Sequence, residues 1–369
     1  MRRTGGAYTV RRDSRKSRMS RRVNLPLFIP HEGCPHACIF CDQKTITGKA
    51  DGAERDIVPE LERAFSTVEP EAECEIAFFG GSFTGIDRAN MLRLLQSARP
   101  YIESGRAESI RISTRPDYID DEVLTILSHY GVRHIELGIQ STDNAVLHAS
   151  GRGHTAADTE AACEKILSHG FVLGGQMMLG LPLSTPRSER QTALDIVRYG
   201  AAEARIYPTA VFPNTPLYAL AESGRYTPLA LNDAVNRAAD CYTIFYQNGV
   251  TVLRAGLYSG STNETAMCGE KPILGITHPA FGELCVGEIY RRRLLEKLDG
   301  LSLPNAPFSL KIACHRGDVS KICGQKGCNK KELFACCEKR GAVPKRTVWE
   351  ERDDLMPFEI QLSAVKNQE

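Results

Sequence analysis

Short apolar runs alternate with longer helix-forming segments between residue 23 and about residue 255. After each run, apolar residues recur three or four positions apart, which is the spacing of one helix face. The six predicted strands cover residues 25–29, 75–79, 110–113, 134–139, 171–179 and 204–211. Strands that alternate with helices pair in parallel, because each helix carries the chain back across the sheet. The pattern therefore predicts an α/β fold, a partial (βα)6 barrel.

The pattern changes after residue 255. Residues 250–260 predict an edge strand and a glycine-rich turn, and residues 279–298 predict a helix that covers the barrel. We divide the chain into a basic tail (1–22), a partial barrel (23–255) and a small α+β C-terminal domain (256–369). No stretch approaches ~20 consecutive apolar residues, so we expect no membrane span.

Charge is unevenly distributed although the net charge is only +1. Residues 1–22 contain nine Lys or Arg and one acid, so the tail carries +8 and the remainder −7. A segment with this charge and so few apolar residues is expected to be disordered when free, and it suits nucleic-acid phosphates. The alternatives are a solvated tail, an organelle-targeting extension, or a misassigned start with Met19 as the initiator. Thirteen cysteines without the paired spacing of small secreted scaffolds predict a reducing compartment, the cytoplasm.

Three of these cysteines, Cys34, Cys38 and Cys41, form a C-x3-C-x2-C motif directly after the first predicted strand. A structural zinc site usually takes four protein ligands, and so does a cluster held by four cysteines. A cubane held by three thiolates instead leaves one iron open to an outside molecule. The alternative is a zinc site completed by His31 or His36.

Polar and glycine clusters follow the later strands, where a parallel barrel gathers its functional residues. Arg115 suits a carboxylate because its planar fork forms two hydrogen bonds, and Gln140 and Ser141 suit ribose hydroxyls. An ordinary turn or an unrelated surface arginine is the alternative for each cluster taken alone. The candidate residues are Gly80, Gly81, Ser113, Thr114, Arg115, Gln140, Ser141 and Gly180.

A second candidate site lies in the C-terminal segment. Gly324, Gln325, Lys326 and Gly327 stand between two predicted helices, which is the layout of a K-homology GXXG loop. Such a loop binds nucleic-acid phosphates, and a plain helix-turn-helix connector is the alternative. The five late cysteines match no common ligand spacing and are predicted to be buried thiols, with Cys323, Cys336 and Cys328 on apolar helix positions.

The cysteine motif, with Phe40 at its aromatic position, resembles that of the radical S-adenosylmethionine (SAM) enzymes. The resemblance implies a TIM-like radical SAM barrel and a [4Fe-4S] cluster whose open iron chelates SAM, which is cleaved to a 5'-deoxyadenosyl radical. It also implies that Gly80 and Gly81 hold the SAM amino group and that the Gly180 turn lies near adenine.

Within that superfamily the chain resembles the elongator catalytic-subunit group and the oxygen-independent coproporphyrinogen oxidase-like group. The phrases that carry this resemblance are FIPHEGCPHACIFCDQKTITG, FFGGSFTG, STRPDYID, ELGIQS and HPAFGELCVGEIY. Residues beyond 290 leave no room for an acetyltransferase domain of about 150 residues, so acetyl transfer is not expected.

We therefore predict a radical SAM enzyme that uses an electron donor protein and acts on RNA, with tRNA as the leading substrate. The basic tail, the GXXG loop and the family resemblance favour RNA. The alternatives are a tetrapyrrole or other small metabolite as substrate, or a non-catalytic cofactor chaperone or RNA-binding protein. No catalytic acid or base is assigned.

Overall fold

The computed structural model describes residues 22–29, 34, 38–42, 55–69, 71–257, 267–268 and 271–366. The predicted basic tail lies outside the described residues except for Arg22, and so do His31 and His36.

Seven parallel strands form the main sheet, and they lie side by side in their order along the chain. These strands are β1 (Arg22–Ile29), β2 (Glu73–Gly80), β3 (Ser109–Thr114), β4 (Val132–Gln140), β5 (Val172–Leu179), β6 (Glu203–Pro208) and β8 (Thr251–Ala255). A strand order without reversals and with helical connections is the arrangement of a curled half-barrel. The predicted partial barrel is confirmed, and residues 251–255 add a seventh strand at its edge.

Helices follow the strands as predicted. They are α1 (Val58–Phe65), α2 (Arg88–Glu103), α3 (Asp121–His129), α4 (Asn144–Ala149), α5 (Ala156–Ser168), α6 (Pro186–Arg198), α7 (Pro216–Glu222) and α8 (Leu231–Gln247). The predicted sixth strand is shorter than expected because Pro208, which has no N–H to donate, ends it. The next residues form β7 (Ala210–Val211), which pairs with β11 (Leu274–Gly275); β9 (Met267–Cys268) pairs with β10 (Lys271–Pro272).

One face of the main sheet packs on the helices. Buried side chains such as Ile76, Phe78, Ile112 and Leu137 form a single core with the apolar faces of the helices. Because side chains alternate along a strand, the residues between them point to the opposite, concave face. That face is polar, which is unusual for the interior of a parallel sheet.

Arg111 on β3 connects strands across this concave face. Its guanidinium lies 2.7 Å from Glu75 on β2, 3.1 Å from Glu136 on β4 and 2.5 Å from Glu203 on β6. Strands β3 and β6 would be about 14 Å apart in a flat sheet, so the curl of the sheet brings their side chains together. Arg205 on β6 adds two more hydrogen bonds to Glu136, at 2.5 and 2.9 Å.

The charges in this network are well compensated. Burial raises the pKa of Glu75, but hydrogen bonds from His134 and Ser109 and the charge of Arg111 outweigh burial and lower that pKa to about 2. Glu136 is 1% exposed and accepts hydrogen bonds from both arginines and from Gln176. The network therefore joins four strands, β2, β3, β4 and β6, through ion pairs shielded from water, and Gln176 connects β5 to it by a hydrogen bond.

A second core lies in the C-terminal segment. It contains α9 (Phe281–Asp299), α10 (Val319–Cys323), α11 (Cys328–Lys339) and a three-stranded sheet of β12 (Phe308–His315), β13 (Pro344–Arg352) and β14 (Ile360–Lys366). The sheet order is β13-β12-β14, with β12 and β13 parallel and β12 and β14 antiparallel. The start of α9 packs in the barrel core through Phe281 and Cys285, and its later turns pack in the second core through Tyr290 and Leu294. The domain boundary at residues 255 and 256 stays a prediction.

Within the described ranges, no helix has both the length and the apolar character needed to cross a membrane. The predicted cytoplasmic location stays a prediction.

Replacing Arg111 with Met should lower the free energy of unfolding by about 3–5 kcal/mol, because three buried or half-buried carboxylates would lose their shared cation. Arg106→Met is a matched control, since Arg106 also holds a carboxylate with two hydrogen bonds, at 2.8 and 3.0 Å from Glu62, but on an exposed surface. We expect a much smaller effect there. Urea unfolding followed by circular dichroism measures both, and equal losses would contradict the role of the network.

Candidate functional site

The carboxyl ends of the main-sheet strands bring together most of the residues predicted to bind the cofactors. Cys34 lies beside the end of β2, where its Sγ is 3.2 Å from the hydroxyl of Ser82. Cys38 lies deeper and is 7% exposed. The backbone N–H of Cys41 donates to the carbonyl of Cys38 at 3.0 Å, so the last two cysteines share a tight turn.

Two guanidinium groups contact the sulfur of Cys38. Arg115 Nη1 lies 3.6 Å from Cys38 Sγ, and Arg152 Nη1 lies 3.3 Å from it. A metal-bound thiolate carries negative charge, and hydrogen bonds to cluster sulfurs help to set a cluster's potential. The environment of Cys38 therefore fits a cluster ligand.

Arg115 already has a carboxylate partner. Its Nε and Nη2 atoms each donate to Asp117, both at 2.9 Å, and Nη2 also donates to the carbonyl of Arg152. Burial raises the pKa of the Asp117 carboxyl, but the hydrogen bonds and charge of Arg115 outweigh burial and lower it. The Nε and Nη2 atoms of Arg115, which together could hold a carboxylate, are thus already bound to Asp117. The predicted role of Arg115 in SAM binding stays a prediction.

Sequence reasoning missed Arg152. It is 5% exposed, donates from Nη2 to the carbonyl of Gly138 at 2.5 Å, and its Nε has no hydrogen-bond partner among the described residues. Two glycines flank Arg152 in the segment between α4 and α5, and they are the only feature of the sequence that could have drawn attention to this arginine. The side chain stands between the end of β4 and the cysteine loop.

His154, two residues later, was also missed. It is 4% exposed, and neither ring nitrogen has a hydrogen-bond partner within the described part of the chain. Burial, with the charges of Arg152 and Arg115, lowers the pKa of His154 to about 4. The ring is therefore neutral at physiological pH.

The Gly80 turn is sterically required. Gly80 has φ +112°, and a Cβ atom there would lie 2.4 Å from the carbonyl oxygen of Ile29. That same oxygen accepts a hydrogen bond from the N–H of Gly81 at 3.0 Å. The two glycines hold the ends of β1 and β2 together, and Ser82, which contacts Cys34, follows them directly.

Ser113, Thr114, Gln140 and Ser141 lie where the sequence placed them, at the ends of β3 and β4. Ser113 accepts from Gln176 at 3.2 Å, and Thr114 shares a 2.6 Å hydrogen bond with Thr84. Ser141 accepts from the N–H of Asp143 at 3.1 Å and so supports its own loop. Gln140 has φ +64°, and its buried Oε1 has no partner in the described structure.

The Gly180 turn contacts the cysteine loop through apolar side chains. Leu181 is 3% exposed and forms a small cluster with Val146 and Met178, against which Phe40 packs. The carbonyl of Ile39 accepts from the N–H of Leu217 at 2.9 Å, which ties the cysteine loop to α7. Phe40 is therefore a packing residue between the cysteine loop and the Gly180 turn.

The GXXG residues are not part of this site. Gly324, Gln325, Lys326 and Gly327 lie between α10 and α11, as predicted, and Gln325 and Lys326 are exposed. Of the late cysteines, Cys314 and Cys337 are buried, as predicted, and Cys323 and Cys336 are half-buried. The prediction for Cys328 is wrong, because it is exposed as the first residue of α11.

Among the described residues, no three His, Cys, Asp or Glu side chains stand close enough to hold a metal ion. The ligand set of Cys34, Cys38 and Cys41 therefore stays a prediction. The donor chemistry and the two guanidiniums beside Cys38 fit a [4Fe-4S] cluster.

Family comparisons identify the class of protein. The model of the radical SAM superfamily matches residues 28–195, and the model of the radical SAM C-terminal domain matches residues 202–291. The chain belongs to the radical SAM superfamily, and it is an iron-sulfur enzyme whose cofactors are a [4Fe-4S] cluster and SAM.

Several curated proteins are similar in sequence. The chain is 24% identical over 249 residues to the tRNA uridine(34) acetyltransferase of Methanocaldococcus jannaschii, a match that covers 55% of this chain and 45% of that protein. It is 30% identical over 174 residues to Elongator complex protein 3 of Schizosaccharomyces pombe, covering 43% and 31%. It is 28% identical over 140 residues to the heme chaperone HemW of Lactococcus lactis, covering 37% and 36%. The match thus spans less than half the length of each of these relatives.

Among solved structures, the archaeal Elp3 of Methanocaldococcus infernus, with its N-terminus deleted, matches with a TM-score of 0.57 and 18% identity, covering 79% of this chain and 70% of that one. This likeness shows a shared fold. The predicted resemblance to the elongator-like and coproporphyrinogen oxidase-like groups is confirmed.

Replacing Cys34, Cys38 and Cys41 together with Ala should abolish iron binding. Anaerobic reconstitution of the wild type should give about four irons per chain, and the visible cluster absorbance should be lost in the variant. A matched triple variant, Cys323→Ala, Cys328→Ala and Cys336→Ala, should keep its iron. Iron that survives in the first variant and disappears in the second would place the cluster in the C-terminal segment.

Proposed function

We propose that this radical SAM enzyme acts on RNA, with tRNA as the leading substrate class. When bound, the cluster and SAM supply a 5'-deoxyadenosyl radical that abstracts hydrogen from the substrate. Reductive cleavage of SAM consumes an electron, so an external electron donor is part of the proposal. The residues at the strand ends bind and orient SAM, and a basic surface in the C-terminal segment binds the substrate.

Cys34, Cys38 and Cys41 are the proposed cluster ligands. Gly80 and Gly81 leave room for the SAM amino group, and the backbone at Gly180 faces adenine. The free Oε1 of Gln140 is a hydrogen-bond acceptor suited to a ribose hydroxyl. These roles are assigned from the family resemblance, and the convergence of the strand ends supports them.

The two arginines beside Cys38 differ in their freedom to bind the SAM carboxylate. Arg115 would have to release Asp117 before its bidentate edge became available. Arg152 has an Nε without a partner within the described residues, so it can donate without breaking an ion pair. We therefore favour Arg152 as the main carboxylate ligand, with Arg115 placed to hold Cys38 and the carbonyl of Arg152.

Arg152→Ala should weaken SAM binding by about 1.5–3 kcal/mol, the range for a hydrogen bond to a charged group. Arg115→Ala should have a smaller effect, although the sequence had singled it out. Calorimetry on cluster-loaded protein measures both dissociation constants, and iron content is checked in parallel. If SAM binds the Arg152 variant as tightly as the wild type, the carboxylate is held elsewhere.

The observation that carries the RNA proposal is a concentration of positive charge around the GXXG loop. Residues 311–346 contain ten Lys or Arg and three acids. Exposed cations include Lys326, Lys331, Lys345 and Arg346, and none of these pairs with a carboxylate among the described residues. Unpaired surface cations neutralise phosphates and release counterions, which gives sequence-independent affinity for RNA.

The loop has a fixed backbone. Gly324 has φ +72°, and a Cβ there would lie 2.7 Å from Cys328 Sγ and 2.8 Å from the Asn329 side chain. Asn329 is 4% exposed and donates from Nδ2 to the carbonyls of Gly287 and Ile322, at 2.8 and 3.2 Å. A loop held this way presents Lys326, itself at φ +53°, without a large ordering cost on binding.

The curated relatives point in the same direction, since two archaeal proteins that match 55% of this chain are named tRNA uridine(34) acetyltransferases.

Changing Gln325 and Lys326 to Asp should weaken tRNA binding at least about tenfold at low salt and reduce the salt dependence of binding, because negative charge would face phosphate. The matched control is Gln96→Asp with Arg133→Asp, an equal charge change on exposed barrel residues. Filter binding with bulk tRNA across a salt series measures both. Deleting residues 1–18 should also lower the affinity for tRNA and reduce the salt dependence of binding.

SAM cleavage should persist in the loop variant and in its control, because the residues changed in them lie outside the cofactor site. If the loop variant and the control bind tRNA equally, RNA loses its support. A small metabolite such as a tetrapyrrole then becomes the favoured substrate.

A further inference from the structure

A buried carboxylate lies beneath the Gly180 turn. Glu189, in the first turn of α6, is 3% exposed. Its Oε1 accepts from the N–H of Gly180 at 2.7 Å and from the hydroxyl of Ser184 at 3.0 Å. Glu189 thus holds both ends of the loop formed by residues 180–184.

The carboxylate has only partial compensation for its burial. Burial raises the pKa of Glu189, and the Gly180 N–H and the charge of Arg237, whose Nη1 is 3.3 Å away, oppose that rise without cancelling it. Oε2 is buried and has no partner among the described residues. Removing a carboxylate from water without full pairing is unfavourable, so stability of the fold alone does not explain Glu189.

Gly180 is fixed on its other sides as well. Its carbonyl accepts from the hydroxyl of Tyr226 at 2.6 Å, and at φ +76° a Cβ atom would lie 2.7 Å from Leu229. The N–H and the C=O of this one residue are therefore both held by side chains. Such double restraint sets the orientation of the peptide groups on either side of Gly180.

The restraint extends to the cysteine loop. Leu181 follows Gly180 directly and packs in the cluster that Phe40 contacts. Tyr226 and Phe40 both pack against a second apolar cluster, which contains Leu217 and Tyr218. The Gly180 turn therefore contacts the cysteine loop directly through Leu181, and it is linked to that loop a second time through its hydrogen-bond partner Tyr226.

We propose that Glu189 is a positioning residue for SAM, which clamps the Gly180 turn against Phe40 so that the turn's backbone is aligned with adenine. This inference rests on the proposed role of Gly180 in cofactor binding. It is independent of RNA as the substrate.

The clamp is tested by removing the acceptor of the Gly180 N–H. In Glu189→Ala, amide hydrogen exchange in peptides covering residues 177–185 should rise, while exchange in β12 stays unchanged. SAM and 5'-deoxyadenosine should both bind at least about tenfold more weakly, the effect of about one hydrogen bond to a charged group. Methionine, which lacks adenine, should bind as it does to the wild type.

Two further variants separate positioning from general stability. Glu189→Gln keeps an oxygen acceptor at the same reach and should restore SAM affinity to within about twofold. Arg237→Met removes the ion partner but leaves the Gly180 hydrogen bond, so it should change thermal stability more than SAM affinity. If Glu189→Ala does not fold, Glu189→Asp serves instead, because its side chain is one methylene too short for the Gly180 N–H.

The proposal is overturned if a folded Glu189→Ala or Glu189→Asp variant shows faster amide hydrogen exchange in residues 177–185 but binds 5'-deoxyadenosine as tightly as the wild type does. Equal weakening of methionine and 5'-deoxyadenosine would also overturn it, since the effect would then not be specific to adenine. Binding of tRNA is measured on the same proteins. Loss of RNA binding in the GXXG variant alone leaves this inference untouched.

Discussion

The ion pairs of Arg111 are the interaction on which the geometry of the barrel depends. One guanidinium on β3 joins carboxylates from its two neighbours, β2 and β4, and from β6, which comes within reach of β3 only because the sheet is curled. Curling brings the carboxyl ends of the strands toward one another, so that short side chains from several strands reach one site. In a flat sheet, β2 and β5, which end at the Gly80 turn and the Gly180 turn, would lie about 14 Å apart.

Electrostatic pairing also organises the cofactor site above this network. Arg115 is held by Asp117, and Arg115 in turn contacts both Cys38 and the carbonyl of Arg152. Arg152 completes the arrangement by joining Cys38 to the carbonyl of Gly138 at the end of β4. The cysteine loop is therefore positioned by one cation that follows β3 and by another from the segment between α4 and α5, as well as by the apolar packing of Phe40. This arrangement suits a ligand that becomes more negative when its cluster is reduced.

The sequence predicted the strands well because each is a short apolar run bounded by turn residues, and the strand order follows from parallel pairing. It also located the residues at the strand ends, since these directly follow the apolar runs. The Arg111 network was not predictable, because its partners lie up to 92 residues from Arg111 along the chain and each one taken alone is an ordinary charged residue. Arg152 and Glu189 were missed for the same reason. Their importance comes from burial and from contacts with Cys38 and Gly180, and neither leaves a local pattern.

The distribution of charge separates the two tasks proposed for this enzyme. In the barrel, buried arginines are neutralised by carboxylates or directed at the cysteine loop, so they contribute little to the outer surface. Around the GXXG loop, Lys326 and Lys331 are exposed and have no carboxylate partner among the described residues, and their field extends about 10 Å into solution at moderate salt. A polyanion would therefore meet the C-terminal segment first, whereas the cofactor site attracts a small carboxylate at close range. Since α9 packs in both cores, it is the element that fixes the distance between the two sites.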